Sequence, residues 1–473
     1  MRLHWHRQDL RAADNTGLTA AVEDEALPVF VFDPEILEHG APPRVAFMLD
    51  ALESLQETYR EKGSDLLVAH GDPAEELPRL IEEHEAEGVT WNRDYTGLAR
   101  ERDRRVEDAL ADAGSEYERF HDAVHHEPGS ITTNDGDPYS VFTYFGNKWL
   151  DHGKEDSYPE PDAAGLADAD GEELPSLNDL GFEQPDATLP NAGTEAARDR
   201  LDAFCEDDIH VYEEERDDLA SEPTSRLSQD LSYGTIGIRE VYERTEEAME
   251  SAETDEQRES IADFRSELAW REFNIDVIYH NPSNVSQNHK DFQNPIDWRE
   301  DEDELDAWKA GETGYPVVDA AMRQLKEEAY IHNRARMIVG SFLTKDLRQD
   351  WRRGYEHFRD LLVDHNTPND NGNWQWIGST GTDAQPYFRV FNPMKQGSDY
   401  DPEAEYVARY VPELEAVDPE DIHSWHELSE AEREEVAPEY PAPIVDHGER
   451  REEAISMFEQ ARGGDDDDDE DEE

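Results

Sequence analysis

The amino-acid sequence predicts an α/β amino-terminal domain built on a parallel, doubly wound sheet, followed by an all-α domain. Two observations predict it. Over residues 1 to about 130, short apolar runs alternate with longer stretches whose apolar residues recur every three or four positions. From about 195 to 462 only the second pattern persists. Between them, residues 131–194 read as a long connecting linker. From residue 151 on it is rich in Pro, Asp, Gly and Ala, with PEPDAAGLADADGEELP at its centre. The end, GGDDDDDEDEE (463–473), reads as a disordered acidic tail.

In the first domain, RLHWH, PVFVFD, DLLVAH, VTWNRDY and YERFHD read as strands. RVAFMLDALESLQETYREKG, PAEELPRLIEEHEAEG and the stretch from Leu98 to Gly114 read as helices. Strand and helix in alternation imply a Rossmann-like sheet covered on both faces. In the helical half, FRSELAWREF sets Glu267, Trp270 and Arg271 at i, i+3 and i+4, on one helix face. YIHNRARMIVGSFLTKDL does the same for Asn333, Arg336 and Met337, ahead of Ile338, Phe342 and Leu343, which it buries. A solvated charged face would account for either alone. Trp, Arg, Asn and Met together suit a pocket for something flat and polar at its edges.

NDNGNWQW (369–376) carries Asp370 just ahead of Trp374 and Trp376. A capped helix start with core aromatics would explain it. Side chains two apart on a helix project about 200° from each other, so the two indoles cannot line one surface. One faces inward; the other looks toward a cavity or a partner.

At 473 residues the chain has room for roughly two to three domains. It carries 118 Asp and Glu against 43 Lys and Arg, a formal net charge of −75. Ten Trp, eighteen Tyr and sixteen Phe argue for packed cores and against the disorder that acid-rich composition otherwise implies. Self-repulsion of this size weakens folding in dilute buffer, and salt screens it. The composition predicts a cytoplasmic protein of a salt-accumulating halophile without a membrane span, and a monomer is expected. No apolar run approaches ~18 residues, and MRLHWHRQDLR does not read as a signal peptide. The single cysteine, Cys205, excludes an intrachain disulfide, cysteine-built metal clusters and Cys-pair redox chemistry; no metal site is expected. Neither GxxxxGK[ST] nor GxGxxG occurs. Residues 331–400, however, hold nine Lys and Arg against eight Asp and Glu, where an even share of the total would be strongly negative. Burial or a phosphate-bearing partner would each explain this.

These motifs resemble the cryptochrome/photolyase family, and within it the first class of cyclobutane-dimer photolyases. The resemblance runs from HRQDLRAADN to APEYPAPIVDH, nearly full length. It is most specific at PTSRLS, ELAWREF, TGYPVVDAAMRQL, NRARMIVGSFLTKDLRQDWR and NDNGNWQWIGSTGTDAQPYFRVFNP. It implies an α/β antenna-type domain and a helical domain that binds FAD and DNA. FAD would be held by Tyr212, Arg216, Thr224, Ser225, Arg226, Leu227 and Ser228, where hydroxyls and backbone N–H groups at a helix start receive phosphate. Arg271, Asn333, Arg336, Asp364, Asn366, Asp370 and Asn371 would complete that site. Trp374, Trp351 and Trp308 would relay electrons to the flavin, with Trp308 outermost. Glu267, Trp270, Asn333, Met337 and Trp376 would receive a pyrimidine dimer flipped out of ultraviolet-damaged DNA. Arg334 and Arg389 would lie near its backbone. A second antenna pigment, folate or deazaflavin, is also implied.

The chain departs from the family pattern at Asp370, where repair enzymes often carry Asn and plant cryptochromes Asp. It departs again at Asn366, which replaces a carboxylate, and at Gln229, Asn274, Gly340 and Asn373. Asp370 favours a blue-light sensor without repair activity. Trp270, Trp376 and the Asn333–Met337 pair favour light-driven repair, and the sequence is read that way because those side chains would touch the substrate.

Overall fold

A computed structural model describes residues 1–221 and 223–463. The acidic tail expected at 463–473 therefore lies, apart from Gly463, outside the described residues. The chain divides into two compact units. The first comprises Met1–Glu215, Pro223–Pro282 and Val363–Pro368; the second comprises Arg216–Glu222, Ser283–Leu362 and Asn369–Glu473.

The first unit holds a five-stranded parallel sheet: β1 (Arg2–His6), β2 (Ala26–Phe32), β3 (Leu67–His70), β4 (Gly88–Asn92) and β5 (Glu116–Phe120), in the order β3-β2-β1-β4-β5. Leu3 pairs with Leu27 on one side and Val89 on the other. All seven residues of β2 are buried, the continuous apolar run a sheet covered on both faces demands. Helix Pro42–Glu61 covers one face with Leu52, Leu55 and Tyr59 against Phe30 and Phe32. Helices Pro73–Glu83 and Gly97–Ala113 cover the other, setting Leu77, Leu80, Val106 and Leu110 against Trp5, Val29 and Trp91. Asp72 and Thr96 cap these two helices through their side-chain oxygens.

The helix expected to run to Gly88 stops at Glu83. Gly88 instead opens β4, where a Cβ would come 2.3 Å from Glu116 O of the neighbouring strand; the close approach requires glycine. Within the stretch 131–194, residues Phe142–Asp151 form a helix that buries Phe145 and Trp149. Further helices of this unit, among them Thr194–Glu206 and Asp255–His280, bury Leu201, Phe204, Phe264, Leu268 and Phe273 in one cluster.

The second unit is helical. Glu302–Ala310, Pro316–Glu328, Asn333–Ser341, Trp351–Leu361 and Thr367–Ile377 surround a core of Trp308, Met322, Ile338, Phe342, Leu343, Trp351, Phe358 and Trp374. Helix Asn333–Ser341 passes directly into a π-helical turn, Phe342–Asp346, whose residues are all buried. Single π-turns of this kind recur at functional sites.

Candidate functional site

In the first unit, the stretch Thr224–Ser228 leads into helix Ser228–Tyr233. Arg226 holds φ 49, a left-handed conformation that a non-glycine residue adopts only under constraint. Thr224 Oγ1 is buried and has no hydrogen-bond partner among the described residues. An orphaned buried hydroxyl is costly unless a ligand fills its need. Tyr212 is buried against Phe204 and Phe264.

Helix Asp255–His280 begins at a capping box, Thr254 with Gln257. Its periodicity leaves Glu267, Trp270 and Arg271 half-buried on one face while Leu268, Ala269 and Phe273 enter the core. Phe142 stacks on Trp270 with ring centroids 3.7 Å apart and planes within 10°. Arg271 donates to Ala123 O at 2.6 Å and Leu231 O at 3.3 Å, and burial lowers its pKa. Next to it, buried Glu272 accepts from the backbone N–H of His125 (2.6 Å) and His126 (3.3 Å) and from Trp149 Nε1 (2.7 Å). Burial raises the Glu272 pKa against these bonds. Asp364 is buried, its carbonyl accepting from Ser232 Oγ at 3.0 Å, and Asn366 is half-buried.

In the second unit, His332 caps helix Asn333–Ser341. Asn333 is exposed, Arg336 and Met337 are half-buried, and Ile338, Phe342 and Leu343 are buried, as their spacing predicts. Arg336 donates to Ile331 O at 2.9 Å and lies 3.5 Å from Asp370 Oδ1, pairing the carboxylate of NDNGNWQW with a guanidinium. Asn371 is buried and donates to Asn284 O at 2.8 Å; Gln375 donates to the same oxygen at 2.9 Å. These amides fix helix Thr367–Ile377 against the 283–289 loop. Arg334 pairs with Asp217 and lies 4.4 Å from the Tyr400 ring, so its guanidinium is engaged within the unit. Arg389 is exposed and Arg216 half-buried.

The two indoles of NDNGNWQW do diverge. Trp374 is 4 % exposed and packs edge-on against Phe358 (5.0 Å) and Trp308 (6.4 Å). Trp376 stays half-buried at the edge of the same core. Trp351 is fully buried, and Gly378 lies between it and Trp374: the Gly378 N–H donates to Trp374 O, and a Cβ there would lie 3.4 Å from Trp351 Cβ.

Trp308 corrects an expectation. It is 0 % exposed, its Nε1–H donates to Val339 O at 3.2 Å, and it touches Trp374 itself. An outermost relay member must reach solvent, and Trp308 does not. Trp298, which sequence reasoning passed over, is half-buried against the same core and lines an open cleft of about 480 Å³ with Arg299, Asp350, Arg352 and Arg353. Its signal was its place in IDWRED, an aromatic in an otherwise polar segment beside no predicted element.

Among the described residues one histidine–carboxylate group has metal-ligand spacing: His4, His6 and Asp9, with ligand atoms within 4.8 Å. Those side chains are already bonded to Thr90, Tyr59, Asn15 and Asn92.

Residues 2–163 match the family described as DNA photolyase, and residues 264–460 match the FAD binding domain of DNA photolyase. The deoxyribodipyrimidine photo-lyase of Halobacterium salinarum is 58 % identical over 98 % of this chain and 100 % of its own. A bacterial class III photolyase from Agrobacterium tumefaciens superposes with a TM-score of 0.90 at 34 % identity, covering 97 % of both chains. An archaeal photolyase from Sulfolobus tokodaii, solved with two FAD molecules, superposes with a TM-score of 0.83 at 31 % identity, covering 97 % of this chain and 99 % of its own.

Proposed function

The chain belongs to the DNA photolyase family, and from that membership we propose that it repairs cyclobutane pyrimidine dimers in DNA, driven by light and FAD. The observation that carries this reading is the pair Trp270 and Trp376, two of the three indoles left half-buried, Trp298 being the third, while the other seven tryptophans are sealed. Base–aromatic stacking offsets the few kcal/mol that a flipped dimer costs. The orphaned Thr224 hydroxyl and the constrained Arg226 backbone fit the phosphates of FAD. When bound, reduced FAD supplies one electron on absorbing blue or near-ultraviolet light and takes it back after the cyclobutane bonds break.

The chain's own residues do the rest. Tyr212, Arg216, Thr224, Ser225, Arg226, Leu227 and Ser228 hold the cofactor, with Arg271, Arg336, Asp364, Asn366, Asp370 and Asn371. Trp270, Met337 and Trp376 hold the dimer; the Asn333 side-chain amide donates to one of its carbonyl oxygens as negative charge develops there, and the Glu267 carboxylate accepts from a ring N–H. Arg389, exposed, meets backbone phosphate; Arg334 does so only by leaving Asp217. Trp374 and Trp351 relay electrons inward, with Trp298 rather than Trp308 at the solvent end. The protein acts as a cytoplasmic monomer, and a folate or deazaflavin antenna belongs to the sheet-bearing half. Among the described residues no helix is long and apolar enough to cross a membrane.

Protein purified in molar KCl is expected to show a flavin absorption band and, once reduced, to remove dimers from irradiated DNA under blue light but not in the dark. A flavin-loaded protein that leaves dimers intact in the light would reject repair and leave light sensing.

A further inference from the structure

Trp351 has no exposed surface, yet its one polar atom is provided for. Its Nε1–H donates to Asn288 Oδ1 at 2.9 Å. The same oxygen accepts from Arg352 Nη2 at 3.1 Å. The Arg352 guanidinium lies 4.7 Å from the centre of the Trp351 ring. It is held there by Ser286 O at 2.7 Å and by both oxygens of Asp350, each at 2.9 Å.

Removing one electron from an indole makes its N–H a much stronger acid, and the fate of that proton decides the fate of the electron hole. A base that takes the proton leaves a neutral radical. An electron can then refill the ring only when the proton returns, so the site becomes a trap. An amide oxygen is no base near neutral pH, so the proton stays and the hole can move on. Asn288 offers such an oxygen, and sharing it with a guanidinium lowers its basicity further. Asp350, the carboxylate of this network, is committed to Arg352 instead of to the indole. The guanidinium beside the ring also disfavours added positive charge there. Trp308 follows the same pattern, giving its N–H to a backbone carbonyl.

We propose that Asn288 is a positioning residue for the electron relay, keeping the indole proton of Trp351 on nitrogen while that ring is oxidised, so that Trp351 passes the hole on instead of trapping it. The proposal rests on the relay reading above. In the step, Trp351 gives one electron to oxidised Trp374 and becomes a radical cation with its N–H intact. One electron from Trp298 then refills it, and a thiol in solution finally refills Trp298. No proton crosses the Trp351–Asn288 hydrogen bond.

Flash spectroscopy on flavin-loaded protein distinguishes indole radical cations from neutral radicals by their visible absorption. Trp298→Phe stops the hole at Trp351. That variant is expected to show only the radical cation, with a lifetime unchanged by pH across the neutral range. Adding Asn288→Asp places a carboxylate at the acceptor; a neutral radical should then form and the hole persist longer by on the order of tenfold or more. A neutral radical in Trp298→Phe alone, or a radical cation in both variants, overturns the proposal. A lack of any indole radical in the unsubstituted protein rejects the relay reading itself, and this proposal with it. A second readout needs no flavin: indole N–H exchange by NMR should be slow for Trp351 and fast in Asn288→Ala, and fast exchange in the unsubstituted protein overturns the hydrogen bond on which the proposal stands.

Discussion

Trp374 and Trp376 are two positions apart and are expected to fail in opposite ways. Trp376→Ala should weaken binding to dimer-containing DNA by about 1–3 kcal/mol, the worth of one stacked base, with flavin photoreduction intact. Trp374→Phe should abolish photoreduction and leave DNA affinity unchanged; binding titrations and steady illumination check the two. Their divergence was legible because helical geometry alone separates i from i+2. The outer relay position was not. Trp308 and Trp298 are both tryptophans in polar surroundings, and only packing shows that the first is sealed and the second reaches a cleft. A second residue-scale outcome concerns His4, fully buried with its pKa pushed down to about 4 by burial and by His6. The unfolded chain takes up that proton near pH 6.5 and the folded chain does not, so stability is present above about 6.5 and is lost as pH falls toward 4. At pH 5 the loss from this group should be about 2 kcal/mol, and His4→Gln should flatten that limb in denaturant unfolding.

Elements were legible where one pattern ruled without competition. The strand RLHWH and the helices opening at Pro73 and near Leu98 follow from alternation, periodicity and caps. One misplaced end had a cause that no local pattern carries, a requirement from a neighbouring strand. Gly88 reads as the end of a helix, yet Glu116 across the sheet makes it the start of a strand. In helix Trp351–Leu361, Gly354 faces a similar demand. A Cβ there would come 2.1 Å from Trp374 Cη2, so the indole lies flush against the helix backbone. Gly354→Ala is therefore expected to displace Trp374, destabilising the protein by about 1–3 kcal/mol through overpacking and slowing photoreduction. Thermal unfolding and flash kinetics measured on the same variant check the two effects together.

At the scale of the whole molecule, a net charge of −75 sets the conditions under which any of this operates. The Debye length shrinks from about 30 Å at 0.01 M salt to about 3 Å at 1 M. Far-ultraviolet circular dichroism is expected to show helix loss in millimolar buffer and recovery in molar KCl; a signal indifferent to salt would reject this account. Charge balance is a sum over residues and was fully legible, as was the change from alternating to purely helical pattern. The division into units was not, because it depends on which distant segments pack together. The chain crosses between the two units five times, the last return to the first being the short stretch Val363–Pro368. On the ribosome, the first unit thus lacks its last piece until three quarters of the polypeptide has been made. Neither unit can be finished and released before the other is under way, and no single cut in the gene leaves both units whole.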